Sequence, residues 1–325
     1  MADCHDLFKK YYNEISLSSE KKEYLRTSRD AIRDKIRKYF KETKKVKVPK
    51  FRGQGSYMIG TMVNPLDGEY DIDDGVYLQH LDNDDDTNWP APSTMHGWVV
   101  EAVKNHTSTP PVDKNTCVRV IYKNNYHVDL PIYAIKDSVP YLAHKSEGWS
   151  QSDPKAFIDW FREKVKQKGE QLKRLVMYLK AWADFQNQNS STKMPCGMVF
   201  SVLTAENIYS SSNRDDEALV GTARNILDKL EENFSIKTPV IPFDDLLDGW
   251  SDTRKNNLIN KLKKLCDKGN EALALDDENK EDASLIWQEL LGDRFPKYDP
   301  PKVKREDLAM ATSAPAILGN HGRSA

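Results

Sequence analysis

Cysteine is scarce in this chain: Cys4, Cys117, Cys196 and Cys266 are four in 325 residues, and their spacing is not that of metal ligands. This argues against a cysteine-built metal module or a disulfide framework and fits reduced thiols in a cytosolic protein. No apolar run approaches the roughly 18–20 residues of a membrane span. The first fourteen residues lack the apolar core of a signal peptide, so the expected location is the cytoplasm. There is no excess of charge of one sign. Lys and Arg total 48 against 50 Asp and Glu, a net charge of −2, which argues against a broad duplex-DNA binder. There is no internal repeat, and the seven histidines are scattered, so no Ser-His-Asp arrangement can be argued. The hydrophobic content of 38% and the mean hydropathy of −0.71 fit a soluble protein long enough to bury a large core and form two lobes.

Two short stretches hold the chemistry. Gly53-Gln54-Gly55-Ser56 breaks a strand-like pattern that starts at Val46-Lys47-Val48, and Pro49 makes any strand there an edge or an end. Glycines let a backbone approach an anion closely, and a helix starting near Ser56 would aim free N–H groups at a phosphate. Fifteen residues on comes Asp71-Ile72-Asp73, in a strand expected over residues 70–78. Side chains alternate in a strand, so Asp71 and Asp73 share one face, about 7 Å apart. A hairpin is expected from residues 117–122 and 126–134, turned at Lys123-Asn124-Asn125. It carries His127-Val128-Asp129-Leu130-Pro131, with Asp129 and His127 on one face and Val128 and Leu130 toward the core. Three carboxylates below a phosphate cradle suit a two-metal in-line displacement, which is mostly positioning and charge neutralisation.

Each piece has a plainer reading. Asp-x-Asp is common at strand ends, Asp73-Asp74-Gly75 can be a turn, and the acidic run at 82–86 reads as a solvated loop. His127 could orient a carboxylate, but it reads first as an exposed or hydrogen-bonded structural histidine. The basic stretch at 21–50 reads as a solvated helix laced with acids. The specific signal is the ordered set: Gly-Ser, then Asp-x-Asp, then a lone Asp in an apolar strand.

Gln54-Gly55-Ser56-Tyr57, Asp71-Ile72-Asp73-Asp74-Gly75 and the run from His127 through Asp129 to Ala134 resemble the CD-NTases of the CBASS anti-phage systems. These are bacterial cyclic-oligonucleotide synthases related to animal cyclic GMP–AMP synthase. The likeness continues through Trp149-Ser150-Gln151-Ser152-Asp153-Pro154-Lys155, Tyr178-Leu179-Lys180-Ala181-Trp182 and the closing Ile286-Trp287-Gln288-Glu289-Leu290-Leu291. It implies an α+β fold: a polymerase β-like mixed sheet with a mainly helical second lobe. It implies two Mg²⁺ ions, replaceable by Mn²⁺, on Asp71, Asp73 and Asp129. Gln54, Gly55, Ser56 and Tyr57 would hold the donor nucleotide. Ser152 and Asp153 would contact a nucleotide, Lys180 would reach the triphosphate, and Arg119 would face the acceptor pocket. The substrates would be ATP and a second nucleoside triphosphate, first of all GTP, in a bacterial cytoplasm, and an effector would be reached through the cyclic product. An E1/E2-like partner would conjugate the C-terminal Ala325. Pro195-Cys196-Gly197 stands where the family often has serines, so contacts there fall to backbone or to Ser190, Ser191 or Thr192. A nucleotidyltransferase acting on an RNA, antibiotic or protein acceptor, and a catalytically silent sensor, are the alternatives.

Residues 153–186 carry apolar positions at helical spacing, with Ser152 or Asp153 as N-cap, Pro154 in the first turn and Gly169 as a point of bend or break. Trp160, Phe161 and Trp182 are expected in the core. Residues 219–234 and 258–275 read as amphipathic helices, and 239–250 as a loop. The expected organisation is a catalytic lobe with N-terminal helices behind its sheet over 1–150, a helical lobe over 151–298 and a flexible tail over 299–325, with the site in the cleft between lobes.

Overall fold

The alternation around the two aspartate motifs becomes a sheet whose register is readable residue by residue. The computed structural model describes residues 1–82 and 86–300. Two helices come first, α1 (His5–Ile15) and α2 (Ser19–Lys38), the second capped by Ser18 and running on into a π-helical turn over Tyr39–Lys44. Then come β1 (Lys50–Gln54), the short α3 (Gly55–Ile59), β2 (Tyr70–Tyr77) and α4 (Pro92–Val103). Strands β3 (Val112–Asp113), β4 (Val118–Tyr122), β5 (Tyr126–Leu130), β6 (Ile132–Lys136), β7 (Val139–His144) and β8 (Gly148–Gln151) complete an eight-stranded mixed sheet.

Strand β2 is its centre. β1 runs antiparallel along one edge, and β5 and β6 run parallel along the other. The pairs Tyr70–Tyr126, Asp73–Asp129 and Val76–Ile132 keep one offset across Pro131, whose carbonyl accepts from the amide of Val76. A proline has no N–H to give to a ladder, so it divides what is otherwise one strand. The expected hairpin is present as β4 and β5, turning through Asn125 at φ 54°.

Ile72, Val128 and Leu130 are buried on the core face, where each contributes about 1.5–3 kcal/mol. Helix α2 covers that face with Leu25, Ile32 and Ile36, and the π-helical turn adds Phe40. The expectation that the N-terminal helices lie behind the sheet holds for α2 only: α1 buries Leu7, Phe8, Tyr11 and Ile15 in the helical core. The basic face of α2 is laced with ion pairs such as Arg26–Glu23 and Arg37–Asp34, as a solvated helix should be. The strand read at Val46–Val48 is absent. Lys45 ends the π turn in the left-handed region at φ 57°, and pairing with β2 begins only after Pro49.

The second half is helical: α5 (Pro154–Lys168), α6 (Gln171–Gln188), α7 (Gly197–Asn207), α8 (Asp215–Glu232), α9 (Asp252–Ala274) and α10 (Lys280–Leu291). The long helix anticipated after Pro154 breaks at Gly169, whose φ of 83° favours glycine. Phe161 and Trp182 are fully buried, whereas Trp160 is only partly so. Among the described residues no helix is long and apolar enough to cross a membrane. The acidic run at 82–86 is described only at its ends, and residues 301–325, with Ala325, lie outside the described residues.

Candidate active site

The parallel register of β2 and β5 places Asp71 beside His127 and Asp73 beside Asp129. The antiparallel pairing of β4 and β5 sets Arg119 opposite Asp129, and that of β1 and β2 sets Gln54 opposite Asp73. Six polar side chains thus meet on the sheet face away from α2. Arg119 grips Asp129 with two parallel hydrogen bonds, Nε to Oδ1 and Nη2 to Oδ2, each 2.7 Å, the bidentate geometry that makes arginine–carboxylate pairs strong.

His127 is not the exposed or hydrogen-bonded residue expected. It is 5% exposed, and neither ring nitrogen has a hydrogen-bond partner. Its Nδ1 lies 3.0 Å from Oε1 of Glu69, out of line for a hydrogen bond, and its Nε2 lies 3.6 Å from Asp71 and 3.9 Å from Asp129. Asp71, His127 and Asp129 offer one donor atom each, all within 4.8 Å of one another.

Asp73 points elsewhere. A carboxylate oxygen of Asp73 abuts Gly55, leaving no room for a Cβ there, and Gly55 itself sits at φ 66°. Only glycine meets both conditions without strain. Burial, then repulsion from Asp71 and Asp129, pushes the Asp73 carboxyl up to about 7. For Asp71 burial also acts upward, but the interaction with His127, then Arg119 and Lys180, outweighs it and holds the group low. Neighbouring carboxylates driven apart in this way are a mark of functional sites.

A cleft of about 1020 Å³ opens in front of Asp71 and Asp73. Gln54, Gly55 and Ser56 line it from the sheet side, and Ser152, Asp153 and Lys180 from the helical side. Asp153 caps α5, its Oδ1 accepting from the amide of Ala156 at 3.0 Å. Lys180 donates to the carbonyl and hydroxyl of Thr61, at 3.2 and 3.0 Å. It borders the cleft yet is closely walled in, and desolvation pushes its ammonium down to about 8 against the pull of Cys196, Asp71 and Asp73.

The other anticipated residues do not line the cleft. Tyr57 packs against the sheet core, Arg119 is held by Asp129, and Asp129 is 8% exposed. At the Pro195-Cys196-Gly197 wall the nearby hydroxyl is Ser201, not Ser190, Ser191 or Thr192. The far wall runs from Thr238 through Val240 to Pro242, at the start of the expected 239–250 loop. Its signal was two prolines among β-branched residues, which marks a stiff segment but says nothing of what it faces.

Residues 49–133 match the family described as the nucleotidyltransferase domain of cyclic GMP–AMP synthase, DncV-like. The cyclic GMP–AMP synthase of Escherichia albertii is 33% identical over 193 residues, covering 58% of this chain and 43% of the relative. That of Vibrio cholerae is 26% identical over 198 residues, covering 42% and 43%. The aligned region thus spans less than half of either relative. In structure, Vibrio cholerae DncV cyclic AMP–GMP synthase in complex with nonhydrolysable GTP superposes with a TM-score of 0.75 at 19% identity, over 91% of this chain and 98% of that one. CdnC of E. coli MS115-1 with ATP gives 0.69 at 14% identity, over 91% and 99%. Residues 49–133 thus match a DncV-like nucleotidyltransferase domain, and the chain shares the fold of the DncV structures.

Proposed function

We propose that the chain is a metal-dependent synthase of a cyclic di- or trinucleotide, using ATP and a second nucleoside triphosphate, with GTP the first to test. One observation carries the reading. Asp71, Asp73 and Asp129 stand on adjacent strands at one face, with Asp71 and Asp73 in a cleft whose opposite wall brings Lys180. The donor set fits divalent cations: carboxylate oxygens with a buried imidazole that makes no hydrogen bond. Divalent ions held there would activate the attacking hydroxyl and offset charge on the leaving pyrophosphate.

The chain's own residues do the rest. Gly55 lets the backbone come close to the phosphates, and Ser56 adds a hydroxyl. Lys180 faces the triphosphate from α6 with a charge little shielded by water, so it acts strongly at short range. Ser152 and Asp153 position a nucleotide at the start of α5. The cleft is at the upper end of small-ligand sites, about 300–1000 Å³, which suits a reaction that must seat two nucleotides. Arg119 holds Asp129 in place beside the acceptor. The neighbouring CdnC structures include a complex with a HORMA protein, and a role for this chain in anti-phage defence belongs to the same proposal.

The test is incubation of the purified chain with all four ribonucleoside triphosphates and Mg²⁺ or Mn²⁺, then phosphatase treatment and mass spectrometry. A phosphatase-resistant cyclic product is expected, with Asp71→Asn/Asp73→Asn reducing it at least a hundredfold. Transfer only to an added RNA or protein would replace the cyclase reading with one of acceptor modification.

A further inference from the structure

His127 is a buried polar side chain that makes no hydrogen bond and is set among three acids. An imidazole sealed from water normally finds a hydrogen bond, because leaving it unmade costs free energy. Here Nδ1 and Nε2 are both unsatisfied at 5% residue exposure. Three side chains surround the ring: Glu69 beside Nδ1 at 3.0 Å, and Asp71 and Asp129 beside Nε2 at 3.6 and 3.9 Å. Histidines that bind metals typically offer one ring nitrogen to the ion and the other to a carboxylate, which fixes tautomer and orientation. Here the Glu69 carboxylate lies on one side of the ring and two further carboxylates lie on the other.

We infer that His127 Nε2 is a protein ligand, with Asp71 and Asp129, for one divalent cation, and that Glu69 orients the ring. The inference rests on the proposed function above and goes beyond it in the ligand set, which becomes one nitrogen with two carboxylates. Carboxylate-only sites suit Mg²⁺, whereas an imidazole adds affinity for first-row transition ions. The site therefore selects Mn²⁺ or Co²⁺ over Mg²⁺. Arg119 takes part as well. Its Nη2 now occupies Asp129 Oδ2, and its Nη1 lies 3.7 Å from Glu69. Glu69 thus offers the guanidinium another acceptor when Oδ2 is given to an ion. Asp73, turned to Gly55, stays outside this set and faces the cleft.

The experiment is pulsed electron paramagnetic resonance of the full-length chain loaded with Mn²⁺ in the absence of nucleotide, prepared unlabelled and with ¹⁵N-histidine. Nitrogen couplings are expected in the unlabelled sample and should shift with the label, a readout that needs no variant to fold. His127→Gln should abolish the coupling and weaken Mn²⁺ binding about tenfold, while Mg²⁺ binding, measured by competition, changes less than twofold. Bound Mn²⁺ with no nitrogen coupling would overturn the role of His127 and leave the carboxylate site standing. Equal losses of Mn²⁺ and Mg²⁺ affinity in the variant would overturn the selectivity. No Mn²⁺ binding at all, with or without a nonhydrolysable triphosphate, would overturn the proposed function together with the inference.

Discussion

At the residue scale, the position proposed for Lys180 works against stability. Its ammonium is held down to about 8 from an ordinary value of 10.5, so the folded protein binds that proton less tightly than the unfolded chain. The sign follows from linkage. Below about pH 8 the residue is charged in both states and the desolvation cost is fully present; between about pH 8 and 10.5 the unfolded chain holds more protons, and stability rises with pH. The shift corresponds to about 3 kcal/mol. Lys180→Met removes that cost but strands the buried Thr61 hydroxyl, which returns about 1–2 kcal/mol. The variant should be more stable by about 1–2 kcal/mol in urea melts at pH 7, and the gain should fade as pH approaches 10. Its affinity for triphosphate should fall at least tenfold. A variant that is less stable at pH 7 would show that the ammonium is better solvated than its surroundings imply.

Among elements, α2 is fastened to β2 by one buried ion pair. Arg33 reaches Asp74 with Nε at 2.7 Å and Nη2 at 2.5 Å, and Asp74 has no exposed surface. Burial raises the Asp74 carboxyl, and Arg33 offsets part of that rise. Arg33→Ala leaves the charge alone in the core and should cost about 3 kcal/mol at pH 7. A raised carboxyl destabilises the folded state as pH climbs, so lowering the pH toward 4 should close most of the gap to wild type. Urea melts at the two pH values decide, and a loss equal at both would assign the effect to lost packing instead. This pair was not legible in the sequence, where Asp73-Asp74-Gly75 equally well reads as a turn. The opposed faces of Ile72 and Asp71–Asp73, and of Val128 and His127–Asp129, were legible because strand alternation is local. The partnership of His127 with Glu69 and Asp71 was not, because it needs the β2–β5 register. For α1 the apolar stripe says that it packs but not on what, and its core turns out to be that of α6 and α8. The Val46–Val48 misreading has the same root: alternation alone does not say where a preceding helix lets go.

At the scale of the whole molecule, two main hydrophobic cores, one under the sheet and one among the helices, flank the cleft. The segment after α3 joins them with polar contacts. Lys180 binds Thr61, Asp184 accepts from the amide of Leu66 at 2.8 Å, and Arg294 donates to the carbonyl of Asn64 at 2.5 Å. Gly55 and Asp73 come from one side of the cleft, and Ser152, Asp153, Lys180 and the wall at Thr238 from the other. A triphosphate seated there, as proposed, would touch both sides at once, so its binding energy would add to their coupling. A nonhydrolysable triphosphate with Mn²⁺ at a hundred times its Kd should stabilise the fold by about 2.7 kcal/mol, roughly 3–6 °C in Tm for a chain of this size. The shift should be confined to samples holding both metal and nucleotide and should vanish in Asp71→Asn/Asp73→Asn, measured by differential scanning fluorimetry. A full shift in that variant would move the nucleotide away from the carboxylates, and with it the reaction assigned to this face of the sheet.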